Sequence, residues 1–233
     1  MAHRYAVYLA PAADSALWRF GSAVVGYDAE TGAEPPPPNL PGFDAASWRA
    51  LTAEPRRYGF HGTLKAPFRL AEGRSEAELL ALIEACAAAH HGFELPPLKV
   101  GAIGPFLALV PPVPVPALAD LARCAVRDLE PARAPLTEAE IAKRRPERLS
   151  PRQRQLLDAY GYPYVEEEFR FHMTLTGPLA PAAQAHALTA LADAYAASGA
   201  AAPLRIADLG LYVEDEPGGR FRLARRIALG AGR

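Results

Sequence analysis

Phe60-His61-Gly62-Thr63-Leu64-Lys65-Ala66-Pro67-Phe68 and Phe171-His172-Met173-Thr174-Leu175-Thr176-Gly177-Pro178-Leu179 repeat Phe, His, Thr, Leu and Pro in the same order and at the same spacing. Side chains of a β-strand alternate between faces with period two, so the His and Thr of each copy point the same way. The first copy then presents a polar row of Arg57, His61, Thr63 and Lys65, with Phe60, Leu64 and Ala66 on the other face. The second presents Arg170, His172, Thr174 and Thr176, backed by Phe169, Phe171, Met173 and Leu175. One face of each suits a core and the other carries an imidazole and a hydroxyl. Two such rows facing each other make a site.

Outward from the motifs, the order of elements recurs. After the first, Ser75 with Glu78 is a capping box opening a helix to about His91, and strands are expected at 95–104 and 106–110. After the second come a helix at 181–197, a strand at 204–214, a turn at Pro217-Gly218-Gly219 and a strand at 221–229. Leu98-Lys99-Val100-Gly101-Ala102-Ile103-Gly104 also matches Leu204-Arg205-Ile206-Ala207-Asp208-Leu209-Gly210 by type at most positions, as a duplicated unit would. Upstream lie a strand at 4–10, a helix to Val25 capped by Asp14 or Ser15, a Gly/Pro-rich loop at 26–41 and a short helix capped by Asp44. Between the copies, a Pro-rich run at 111–116 leads into a helix at 117–129. Thr137 and Glu140 then start an interrupted helical region reaching Tyr160.

A chain of 233 residues, half of them apolar, can bury the core of one domain, 1–233, made of two lobes with motif units at about 56–110 and 166–230. Its 25 basic and 26 acidic residues nearly cancel, which excludes a global polycation for non-specific nucleic-acid binding. Positive charge gathers at Lys143, Arg144, Arg145, Arg148, Arg152 and Arg154. A solvated helical face paired with Glu138, Glu140 and Glu147 accounts for it, with an anion-gathering lid as the alternative. Cys86 and Cys124 read as small apolar residues on helices of a reduced chain rather than as a disulfide. The run Tyr5 to Ala10 is too short for a signal-peptide core and no stretch approaches a membrane span, so the expected compartment is the cytoplasm.

His3, His90, His91 and His186 have terminal or helical settings that give them no shared chemistry. His61 and His172 differ because they recur together with a threonine. Two imidazoles flanking one substrate suit phosphodiester chemistry: one takes a proton from an attacking water or hydroxyl, the other gives one to the departing oxygen. Thr63 and Thr174 can donate to a non-bridging phosphoryl oxygen, and Lys65, Arg57 and Arg170 can add fixed positive charge. Neither row holds a carboxylate, so no metal and no cofactor is called for. Phosphate-binding G-x-x-x-x-G-K-[ST] and G-x-G-x-x-G loops, the G-x-S-x-G elbow and H-E-x-x-H are all absent.

Paired H-x-[ST]-hydrophobic motifs of this kind resemble those of the two-histidine phosphoesterase superfamily. Tyr58-Gly59-Phe60-His61-Gly62-Thr63, Gly161-Tyr162-Pro163-Tyr164-Val165, Phe169-Arg170-Phe171-His172-Met173-Thr174 and the opening Arg4-Tyr5-Ala6-Val7-Tyr8 look like its branch associated with bacterial phosphonate metabolism. The resemblance spans nearly the whole chain. It implies a bilobal, duplicated α+β fold with two small antiparallel sheets, helices outside and a central cleft. It also implies His61 and His172 as the acid–base pair and Thr63 and Thr174 as phosphoryl-binding hydroxyls. Lys65, Arg57, Tyr58, Arg170, Tyr8 and Thr176 are the substrate-binding candidates around them. The expected partner is a small phosphorylated substrate, such as a cyclic ribose phosphate. RNA with a 2′,3′-cyclic end is a second option and binding without turnover a third.

Overall fold

The computed structural model describes residues 4–230, and His3 lies outside them. In chain order the elements are β1 (Arg4–Leu9), α1 (Ala16–Val25), α2 (Ala45–Leu51), α3 (Ala53–Arg56), β2 (Gly62–Phe68), α4 (Glu76–Ala88), β3 (Phe93–Leu95), β4 (Lys99–Ile103) and β5 (Phe106–Val110). There follow α5 (Pro116–Arg127), α6 (Glu138–Lys143), α7 (Pro151–Tyr160), β6 (Met173–Thr174), α8 (Pro181–Ala197), β7 (Leu204–Ile206), β8 (Asp208–Glu214) and β9 (Phe221–Ala228). Local chemistry sets many of the boundaries. Ser15 and Asp44 accept main-chain N–H bonds at the starts of α1 and α2, and Ser75–Glu78, Thr137–Glu140 and Ser150–Gln153 form capping boxes for α4, α6 and α7.

The fold is α+β, with one antiparallel seven-stranded sheet in the order β4-β5-β6-β2-β1-β8-β9 and a two-stranded ribbon of β3 and β7. The two small sheets expected from the sequence are the halves β4-β5-β6 and β2-β1-β8-β9, joined at β2–β6 through one registered pair, Gly62 with Met173. The order is symmetric about that seam: β5 stands where β1 stands, and β4 where β8 stands. Motif strand β6 pairs outward with β5, whereas β2 pairs outward with β1 and reaches the C-terminal strands only through it. Motif strand β2 shares its half with the C-terminal β8 and β9, and β6 shares its half with β4 and β5.

A single large core backs this arrangement. Phe60, Leu64, Phe171, Met173 and Leu175 lie within it beside Ile83 of α4, Leu121 of α5 and Leu191 of α8. At the seam the packing leaves no room for a side chain on Gly62, where a Cβ would come within 2.3 Å of the Phe171 ring. Cys86 and Cys124 depart from expectation. They meet between α4 and α5 with their Cα atoms 6.1 Å apart and their sulfurs in bonding contact, because both occupy the helix faces turned toward each other.

Candidate active site

The motif histidines sit one residue ahead of β2 and β6, and both line one cavity of about 340 Å³. Thr63, Thr174, Tyr8 and Tyr58 line it too, as expected. The two rings are held alike. Nδ1 of His61 donates to the Gly59 carbonyl at 2.9 Å, and Nδ1 of His172 donates to the Arg170 carbonyl at 2.8 Å, in each case two residues upstream. A carbonyl only accepts, so this fixes the tautomer and leaves Nε2 of each ring for a ligand. Nε2 of His61 lies 3.1 Å from the Thr63 hydroxyl, which turns the i, i+2 spacing into a working pair.

Burial disfavours the charged imidazole in both. It pulls His61 down to about 4, helped by the nearby His172 and opposed by the Gly59 carbonyl bond. His172 is lowered for the same reason, against the bond to the Arg170 carbonyl. Tyr8 stacks beneath His61, ring centroids 3.7 Å apart and 18° from parallel, and its own hydroxyl is pushed well up by burial. Phe106 lies 5.6 Å from the His172 ring.

Three of the predicted binding residues, Lys65, Arg57 and Arg170, do not line this cavity, and a fourth, Thr176, lines it with its hydroxyl already engaged. Lys65 does not reach the cleft: it is buried, and its Nζ donates to the Val126 carbonyl and pairs with Glu130. The reason is in the register. Thr63 pairs with Tyr8, Lys65 with Val7 and Phe68 with Tyr5, so β2 twice uses one residue more than β1. Such bulges break the period of two; Leu64 and Lys65 turn inward and Ala66 takes the cleft side. Arg57 is held away by the Glu214 carboxylate and the Gly219 carbonyl. Arg170 is exposed and lines a second cavity, of about 440 Å³, that also contacts His172 and Thr63. Thr176 borders the active cavity but is buried, its hydroxyl accepting from the Leu107 N–H at 3.0 Å and completing the β5 ladder.

The cations that do line the cavity are Arg4 and Arg144. Arg4 is bonded to Glu214 as well; burial opposes that carboxyl's ionisation, and the bonds from Arg4 and Arg57 outweigh it, keeping it below its usual range. Arg144 stands 4.9 Å from the Tyr162 ring, which itself lines the site. Neither Arg4 nor Arg144 shares a strand row with a motif, so spacing gave no signal for them. The rest of the basic cluster is divided. Arg152 pairs with Glu167, Arg148 approaches Glu147, and Arg154 donates to the Pro146 carbonyl, while Glu140 pairs with Arg69 rather than within the cluster.

Among described residues, no helix is long and apolar enough to cross a membrane. Over 96% of its length the chain is 42% identical to a Janthinobacterium sp. (strain Marseille) protein named ribose 1,5-bisphosphate phosphokinase PhnN, covering 50% of that protein. It is 38% identical to the protein of the same name from Laribacter hongkongensis (strain HLHK9), covering 97% of the chain and 52% of that protein. The chain thus spans about half the length of these curated relatives. Similar solved structures include E. coli LigT complexed with NADP+, at 15% identity and TM-score 0.46 over 98% of this chain and 99% of that one. Kluyveromyces marxianus Usb1 is similar at 12% identity and TM-score 0.39, over 97% and 98%. The model of one family matches residues 63–222, and the chain belongs to that family, described as protein of unknown function DUF1045.

Proposed function

We propose that this chain is a metal-independent phosphodiesterase that opens a small cyclic phosphate, with His61 and His172 as its acid–base pair. The observation that carries this reading is the matched pair of rings. Each is locked by Nδ1 on a main-chain carbonyl, and each leaves Nε2 for the cavity that Thr63 and Thr174 also line. His61, the ring whose proton affinity is lowered to about 4, is neutral at pH 7 and suits the base. It takes a proton from water as the water oxygen bonds to phosphorus. The ring P–O bond breaks, and the departing oxygen takes the proton of the His172 imidazolium, whose charged form the anionic substrate favours. Thr63 and Thr174 donate to the non-bridging oxygens, and Arg4 and Arg144 offset the phosphoryl charge.

The relatives' name belongs to proteins about twice as long. These 233 residues hold no G-x-x-x-x-G-K-[ST] loop, so from that name we carry over only ribose phosphates as a ligand class. A cyclic ribose phosphate of phosphonate breakdown is the substrate that best joins the ligand class to the chemistry. The test is a turnover screen of cyclic ribose phosphates against RNA ending in a 2′,3′-cyclic phosphate, with chelator present. Small cyclic phosphates should be opened at a rate the chelator does not change. Tight binding without turnover of any of them would sink the catalytic reading.

A further inference from the structure

Away from the cleft, Cys86, His90 and Cys124 bring two sulfurs and a ring nitrogen within 4.8 Å of one another. Cys86 lies in the last turn of α4 and His90 four residues on, just past its end, and Cys124 comes from the last turns of α5. We infer that, as a dithiol, this cluster is a binding site for a borderline-soft divalent cation of the zinc type. Two features point to a cation rather than to a crosslink alone. His90 donates Nδ1–H to the Cys86 carbonyl at 2.8 Å, which orients the ring and leaves Nε2 as a lone-pair donor, the way a ligating imidazole is ordinarily held. A crosslink needs no imidazole. The donor set, two thiolates and one imidazole, is also that of tetrahedral zinc. Cys86 is buried while His90 and Cys124 are half-buried, so the cluster has one closed side and one open side. The open side carries the exposed Asp128, whose carboxylate lies 3.2 Å from the Cys124 sulfur, and a water from solvent can complete the coordination there. A cation there would tie α5, which packs on motif strand β2, to α4, which packs on β8 and β9.

The site and a disulfide between the same sulfurs exclude each other, so the test starts from reduced, metal-free full chain in which thiol titration counts both cysteines. Cobalt(II) is the probe. One equivalent should produce a thiolate-to-cobalt charge-transfer band and the intense visible bands of tetrahedral cobalt, and zinc should abolish both. Cys86→Ser should remove the charge-transfer intensity of one sulfur, and His90→Gln should weaken binding at least tenfold, a loss expected for a missing ligand. Near-ultraviolet circular dichroism of the variants, matching the parent, confirms that they fold. A reduced two-thiol protein that gives no charge-transfer band overturns the inference, as does a His90→Gln variant with unchanged affinity.

Discussion

The two motif histidines combine a committed Nδ1–H with burial at one shared cavity. Each Nδ1–H is committed to a carbonyl and each ring is drained of proton affinity by burial. In the unliganded protein both titrations lie below 6.5, so on the proposed mechanism kcat/KM on a cyclic phosphate should follow a bell on the acid side of pH 6.5, with apparent values belonging to the coupled pair. The kcat profile should sit at higher pH, since bound phosphoryl charge favours both imidazoliums. A kcat/KM optimum above pH 8 would contradict this. His61→Ala and His172→Ala should each lower kcat by roughly 10² to 10⁴ while leaving the chain folded. Thr63→Val and Thr174→Val should do less harm, each removing one hydrogen bond to developing charge. Lys65 makes the opposite case. Burial lowers its proton affinity against the support of Glu130, and its bonds go to α5 and the turn after it. Lys65→Met should therefore cost about 1 to 3 kcal/mol in urea unfolding and leave KM unchanged; a raised KM would restore it to the substrate site.

At the scale of elements, the cleft depends on how β2 and β6 meet. The single registered pair at Gly62 and Met173, with the Phe171 ring over Gly62, sets the spacing at which the two histidines enter one cavity. Phe171→Ala should cost about 3 to 5 kcal/mol, because the ring belongs to the main core. Gly62→Ala should also destabilise and should lower kcat more than a distant substitution of equal cost, since the new methyl displaces the ring at the seam. Equal stability and turnover in Gly62→Ala would show that the seam tolerates spreading. The bulges of β2 act at this scale as well: they turn Lys65 inward and place Ala66 and Pro67 on the cleft wall, which gives the substrate an apolar edge there.

Across the whole molecule, function is divided between parts of the chain far apart in sequence. Strands from both ends build the half that carries His61, and the half that carries His172 is completed by β4 and β5. Global stability should register the site's chemistry. Unfolded imidazoles take protons below about 6.5, whereas His61 in the fold does so only near 4, so acidification favours the unfolded chain. The urea midpoint should fall as pH drops from about 6.5 toward 4, and His61→Gln should flatten that slope. A midpoint independent of pH across this window, once carboxylate effects are subtracted with the variant, would place His61 in solvent.

The sequence by itself determined the paired catalytic candidates, the core faces behind them and most element boundaries. Those are local matters: His-x-Thr spacing, alternation at Phe60, Phe171, Met173 and Leu175, and capping side chains at Ser15, Asp44, Ser75 and Thr137. Membership of the DUF1045 family was legible in the same strings. Only the tertiary structure decided which cations reach the cavity, because that depends on pairing register and on long-range partners. Two bulges against β1 remove Lys65, Glu214 claims Arg57, and a helix end remote in sequence delivers Arg144. It alone decided that Cys86 and Cys124 meet, since helical periodicity gives each residue a face but not the helix that face will touch.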